Sequence, residues 1–78
     1  MIKSFFEADI EDIMDSIMNL DIGENISYWS NDGDDGTFDF ERYRDYISIY
    51  DEHLVEIFQV NFDPVNLRET VEQMKRWT

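Results

Sequence analysis

The 78 residues leave room for one hydrophobic core, so a single domain over 1–78 is expected. With no cysteine, disulfide scaffolds, thiolate metal sites and cysteine nucleophiles are excluded together, and 42% hydrophobic with 15% aromatic residues is too much for a disordered acidic tail. Nineteen acids against six bases give a formal charge of −13, which excludes the anionic surfaces of nucleic acid and membrane as direct partners.

In chain order, Ser4-Phe5-Phe6-Glu7 fits a capping box, with Ser4 as N-cap and Glu7 reaching back. Ile10, Ile13, Met14, Ile17 and Met18 recur at three-four spacing behind it, predicting a helix from Phe5 to Asn19 or Leu20 stopped by Gly23. Glu7, Glu11 and Asp15 then fall on another face of that helix, with Asp12 beside them.

Ile26 to Ser30 reads as a strand, and Asn31 to Gly36 as a turn-rich loop. From Thr37 to Glu41, Phe38 and Phe40 alternate with Asp39 and Glu41. Tyr43 to Tyr50 is extended, with a change of parity near Arg42 or Tyr43 that calls for a bulge or break. Asp51-Glu52 looks like a two-residue hairpin tip before a strand from His53 to Asn61. That turn would pair Ile49 with Leu54 and Ile47 with Glu56. It places Phe58 and Val60 in the core, where Glu56 fits poorly, and leaves an open face bearing Tyr46, Tyr50 and Ile57. Asp63 and Pro64 suit the N-cap and first turn of a last helix, with Phe62 stapled onto Leu67. Leu67, Val71 and Met74, with Trp77, form its buried stripe. The fold class is therefore α+β, in the order α-β-β-β-α: an antiparallel three-stranded sheet, or four segments, with both helices on one face.

Specific chemistry is hard to place on this chain. If Gly36 takes the sixth position of a calcium loop, Asn31 stands at the first and Arg42 at the twelfth, where carboxylates are required. A solvated loop is the better reading, and no metal ligand is assigned. Asp15-Ser16-Ile17-Met18 resembles the phosphopantetheine attachment motif of carrier proteins. That family sets its serine at the start of a second helix, whereas Ser16 lies deep in the first. His53 stands beside Asp51 and Glu52 without a serine or cysteine at a nucleophile elbow. No catalytic residue and no cofactor are expected, and the chain reads as a non-enzyme.

The remaining signal is the charge. From Glu7 to Asp63 there are seventeen acids, with only Arg42 and Arg44 as bases. A small domain needs a net charge of only about 2–8 for solubility. The surplus therefore points to a basic partner. Acids one helical turn apart are separated by about 6 Å of rise. DNA phosphates recur every ~3.4 Å along one strand, so such acids can engage a Lys/Arg groove built for phosphates.

In size, charge and element order the chain resembles the small acidic inhibitors carried by phages and mobile elements. These include DNA-mimic anti-restriction proteins, uracil-glycosylase inhibitors and anti-CRISPR proteins. The resemblance spans the whole chain without a motif, so no functional residue transfers. It implies an inhibitor seated on the basic nucleic-acid-binding site of a CRISPR effector or nuclease. The expected contacts are Glu7, Glu11, Asp12 and Asp15 on the first helix, with Asp32, Asp34, Asp35, Asp39 and Glu41 on the hairpin. Tyr46, Tyr50 and Ile57 are a candidate secondary interface. An immunity protein or antitoxin against a basic nuclease toxin is the alternative, and an adaptor using the Tyr/Ile face is a third. A homodimer through that face stays open.

No run of ~18 apolar residues is present to span a membrane. Met1 to Glu7 turns acidic too soon for a signal peptide. The expected location is the cytoplasm, that of the host cell for a phage protein.

Overall fold

The alternating middle of the chain forms an antiparallel meander whose apolar face is roofed by two helices. The computed structural model describes residues 4–30 and 36–77. The elements are α1 (Ile10–Met18), β1 (Asn25–Trp29), β2 (Thr37–Arg42), β3 (Tyr46–Tyr50), β4 (Glu56–Asn61) and α2 (Pro64–Lys75). The strands lie in the order β1-β2-β3-β4, each antiparallel to its neighbour. The α+β class holds, with four strands rather than three. The parity change expected near Arg42 and Tyr43 is a turn that separates β2 from β3, closed by Tyr43 N–H donating to the Tyr46 carbonyl at 2.8 Å.

The two helices share one buried cluster with the sheet. Ile13 and Ile17 of α1 and Leu67, Val71 and Met74 of α2 join Phe38, Phe40, Ile47 and Ile49 there. Helix α2 starts as its sequence dictates: Asp63 Oδ1 accepts from Val65 N–H at 2.7 Å and Asn66 N–H at 3.4 Å, with Pro64 in the first turn. Trp77, expected in the buried stripe, is 49% exposed and stacks on Phe58 at 5.7 Å.

Helix α1 begins five residues later than the capping box predicts. Ser4 instead forms a parallel bridge to Trp29, and its hydroxyl is buried with no hydrogen-bond partner among the described residues. Asp9 stands at the N-cap without a side-chain cap bond. Tertiary burial outcompetes the local signal at Phe5. Its N–H donates to the Trp29 carbonyl at 2.9 Å, and its ring is fully buried against Phe38 (5.4 Å), Phe6 (5.3 Å), Phe40 (6.0 Å) and Tyr28 (6.1 Å). Three of these contacts are edge-to-face, the geometry the ring quadrupoles favour. Glu7 thus lies in a turn before the helix, not on its face.

Two cations hold the ends of the structure by bonding backbone rather than carboxylates. The Lys75 ammonium donates to the Phe5 carbonyl at 2.6 Å and to that of Ala8, and lies 5.1 Å from the Phe5 ring centroid. Burial holds its pKa below the ordinary lysine value, against the opposing pull of Asp9. The Arg42 guanidinium donates to the carbonyls of Leu20 and Tyr43, both at 2.9 Å, and lies 3.5 Å over the Phe62 ring. Phe62 thus takes a cation on its face as well as packing against the core. Between α1 and β1, Gly23 adopts φ +91° as its N–H reaches the Arg42 carbonyl at 2.8 Å, a conformation that favours glycine.

The β3–β4 connection runs from Asp51 to Val55 and is longer than the two-residue tip expected from sequence. Asp51 Oδ1 accepts from His53 N–H at 2.9 Å and Val55 N–H at 3.0 Å, and Leu54 takes a positive φ of 61°. Ile49 therefore pairs with Phe58 and Ile47 with Val60, not with Leu54 and Glu56. A bulge between Ile49 and Tyr50 pairs Tyr50 with Glu56, which removes Glu56 from the core face. The turn packs against the root of the first hairpin. A Cβ at Gly36 would strike the Glu52 side chain and come within 2.9 Å of Ser30 Oγ, so only glycine fits.

Two stability measurements test this account. Phe5→Ala is expected to cost about 3–5 kcal/mol in urea unfolding, the range for emptying an aromatic core site. A domain of this size holds roughly 4–12 kcal/mol in all, so the variant should be partly or wholly unfolded. Lys75→Met should cost roughly 1.5–3 kcal/mol, because it strands the two carbonyls that the ammonium satisfies. A change within error would reduce the clasp to a surface contact.

Candidate functional site

The strand register arranges the outward side chains into cross-strand rows. One row runs Ser27, Asp39, Tyr50, Glu56, and the next Asn25, Glu41, Ser48, Gln59; Tyr46 and Asn61 pair at the end of β3 and β4. Directly opposed residues sit about 4.5–5.5 Å apart between Cβ atoms, close enough to act as a unit. Three carboxylates, Asp39, Glu41 and Glu56, therefore share the face with Tyr46 and Tyr50, and neither Lys nor Arg occupies these rows.

Hydrogen bonds fix the carpet. The Ser27 hydroxyl donates to Asp39, which also accepts from Thr37 Oγ1 at 3.3 Å. Ser48 is 2% exposed although it points outward, covered by its neighbours, and its hydroxyl donates to Glu56 Oε1 at 2.6 Å. Tyr43, from the β2–β3 turn, stacks on Tyr46 with centroids 4.8 Å apart. A hydrogen bond with the Tyr50 side chain, followed by desolvation and the Glu41 charge, pushes the Tyr43 phenol up to about 12. The face offers carboxylate acceptors and phenol rings. This combination can receive a guanidinium or ammonium, through charge-assisted hydrogen bonds on one side and cation–π contact on the other.

The residues expected at the site separate into groups. Asp39 and Glu41 join Tyr46 and Tyr50 on one face, so the primary and secondary interfaces expected from sequence merge there. Ile57 sits beside the bulge, half-buried and packed against the core cluster. Glu7, Glu11, Asp12 and Asp15 lie in the helical layer, on the other side of the sheet. Glu11 is already engaged by Arg68 Nη2 at 2.6 Å, which lowers its pKa through the hydrogen bond and then the charge of Arg68. Asp12 and Asp15 are exposed without a cation partner among the described residues. Asp32, Asp34 and Asp35 lie outside the described residues, as do the first five positions of the calcium-loop reading. The rest of that stretch, Thr37–Arg42, is β2.

Sequence reasoning missed Glu56, Ser48 and Tyr43. The misfit of Glu56 on the core side was the available signal, because a carboxylate on an apolar parity calls for a bulge. Among the described residues no group of three or more His, Cys, Asp or Glu side chains could hold a metal ion, and no helix is long and apolar enough to cross a membrane.

The Tyr43 environment yields a spectroscopic prediction. Its folded pKa is raised from 10 to about 12, so the folded state binds more protons than the unfolded one across that window. The stabilisation is full below pH 10 and is lost as pH rises towards 12. An ultraviolet tyrosinate titration should contain a late component, and Tyr50→Phe should move it to lower pH. An unchanged curve in the variant would remove the Tyr43–Tyr50 bond from the account.

Comparison with protein-family models, with curated proteins and with solved structures finds no match to this chain.

Proposed function

We propose that the protein is a non-enzymatic inhibitor that seats its open sheet face on the basic nucleic-acid-binding site of another protein, in the manner of the anti-CRISPR and DNA-mimic inhibitors. The observation that carries this reading is the joining of Asp39, Glu41 and Glu56 with Tyr43, Tyr46 and Tyr50 on one face whose cross-strand rows hold neither Lys nor Arg. Carboxylates there stand where phosphates would, and the tyrosine rings stand where bases would stack against an arginine. The overall charge of −13 steers a basic partner from a distance, which makes association fast and salt-sensitive. Pairing of this face with a second copy is opposed by its own chemistry, since it would set three carboxylates against three.

An immunity protein acting on a basic nuclease toxin would use the same face in the same way. The stacked Tyr43–Tyr46 pair favours one further reading, an adaptor whose affinity comes from the aromatic rings. The two are separable by salt.

Affinity capture from a host lysate, followed by challenge with DNA, tests the proposal. The expected outcome is retention of a basic nucleic-acid-binding protein that DNA displaces. The pair Glu41→Lys with Glu56→Lys should weaken retention by at least about tenfold, or ~1.4 kcal/mol, while leaving the circular dichroism unchanged. Retention that survives excess DNA and high salt but is lost in Tyr46→Ala would replace the inhibitor by the adaptor.

A further inference from the structure

A second surface lies in the helical layer, away from the open sheet face. Between α1 and α2 runs a groove of about 510 Å³, within the ~300–1,000 Å³ typical of ligand pockets. Its apolar part is half-buried Met18 on α1 and Val65 on α2, which is 64% exposed, with only the edge of Met14, a core residue 7% exposed, reaching it. Its walls are Glu11 and Asp15 on one helix and Glu69 and Glu72 on the other. Among the described residues the only cation lining it is Arg68, bonded to Glu11 at 2.6 Å and 4.0 Å from Glu72. Four carboxylates against one guanidinium leave the walls at −3.

We infer that this groove docks a basic amphipathic helix of a partner protein. Met18 and Val65, one on each helix, supply the apolar surface on which the apolar face of such a helix would rest. Methionine side chains are unbranched and polarizable, so they conform to leucine, isoleucine or phenylalanine anchors without a fixed shape. Carboxylates on both walls lie where lysines or arginines flanking such an apolar stripe would reach. An acidic or neutral helix would leave those walls unpaired, and the charge of the groove selects against it. Arg68 is the internal competitor: an incoming base takes over Glu11 or Glu72 only by displacing it, which sets a threshold on the partner's charge. The occupant differs from that of the sheet face, whose cross-strand rows carry carboxylates and tyrosines.

The probe is a synthetic helical peptide of leucine and lysine with leucines at i, i+3, i+4 and i+7. A control of identical composition has its leucines spread so that no apolar face forms. Calorimetry should give one-to-one binding of the patterned peptide, at least about tenfold tighter than the control. Amide shifts should concentrate on α1 and α2. Val65→Lys and Glu69→Lys, both at exposed positions, should each weaken binding by about tenfold. Equal binding of the control, shifts centred on the tyrosine face, or no binding at all would overturn the inference.

Discussion

Phe5 is the constraint on which the other elements depend. Its amide joins the end of β1, its ring fills the space between the helices and the strands, and its carbonyl accepts the Lys75 ammonium. Without that ring the small cluster of Phe38, Phe40 and Tyr28 would lose its centre. A chain of 78 residues buries only roughly 60–65% of its unfolded surface, so it has few other contacts with which to compensate. The late start of α1 follows from this: a helix running from Ser4 would spend Phe5 on a local turn instead of on the core.

The distribution of the few positive charges bears on function as much as the number of negative ones. Arg42 and Lys75 are committed to backbone carbonyls, and Arg68 to Glu11 and Glu72. Their charges are therefore spent on architecture and leave the sheet face to its carboxylates. Self-repulsion in such a molecule opposes folding. The cation–backbone clasps at the two ends of the sheet oppose it in turn, at points where a carboxylate partner would have neutralised an acid the surface keeps.

Much of the fold was legible in the sequence. Alternation placed Phe38 and Phe40 inward and Asp39 and Glu41 outward, and Asp63-Pro64 marked the start of α2 through capping chemistry confined to three residues. What was not legible depended on contacts remote in sequence. The Ser4–Glu7 box is a sound local signal, overridden by a core that only the folded chain assembles. The Asp51–Val55 turn and its bulge depend on one aspartate bonding two amides, which shifts the register and turns Glu56 outward. That shift decided the site, because it added a third carboxylate to the tyrosine face. The acids at Glu7, Glu11, Asp12 and Asp15 were read as one interface with the hairpin acids, and no sequence rule told that the sheet would separate the two groups.

The Lys75–Phe5 clasp also divides the time course of folding. All strand pairings in the sheet join neighbours in sequence, so each hairpin can close over a short loop. The clasp instead closes a loop of 70 residues, almost the whole chain, and the entropy of that closure is met only after the meander has shortened the path. The expected sequence is hairpins first and the terminal turn last. Lesions in the strand pairs then slow folding, while lesions at the clasp hasten unfolding. A protein built this way closes its core only when residues 5 and 75 meet, so the sheet takes shape before the core beneath it is sealed.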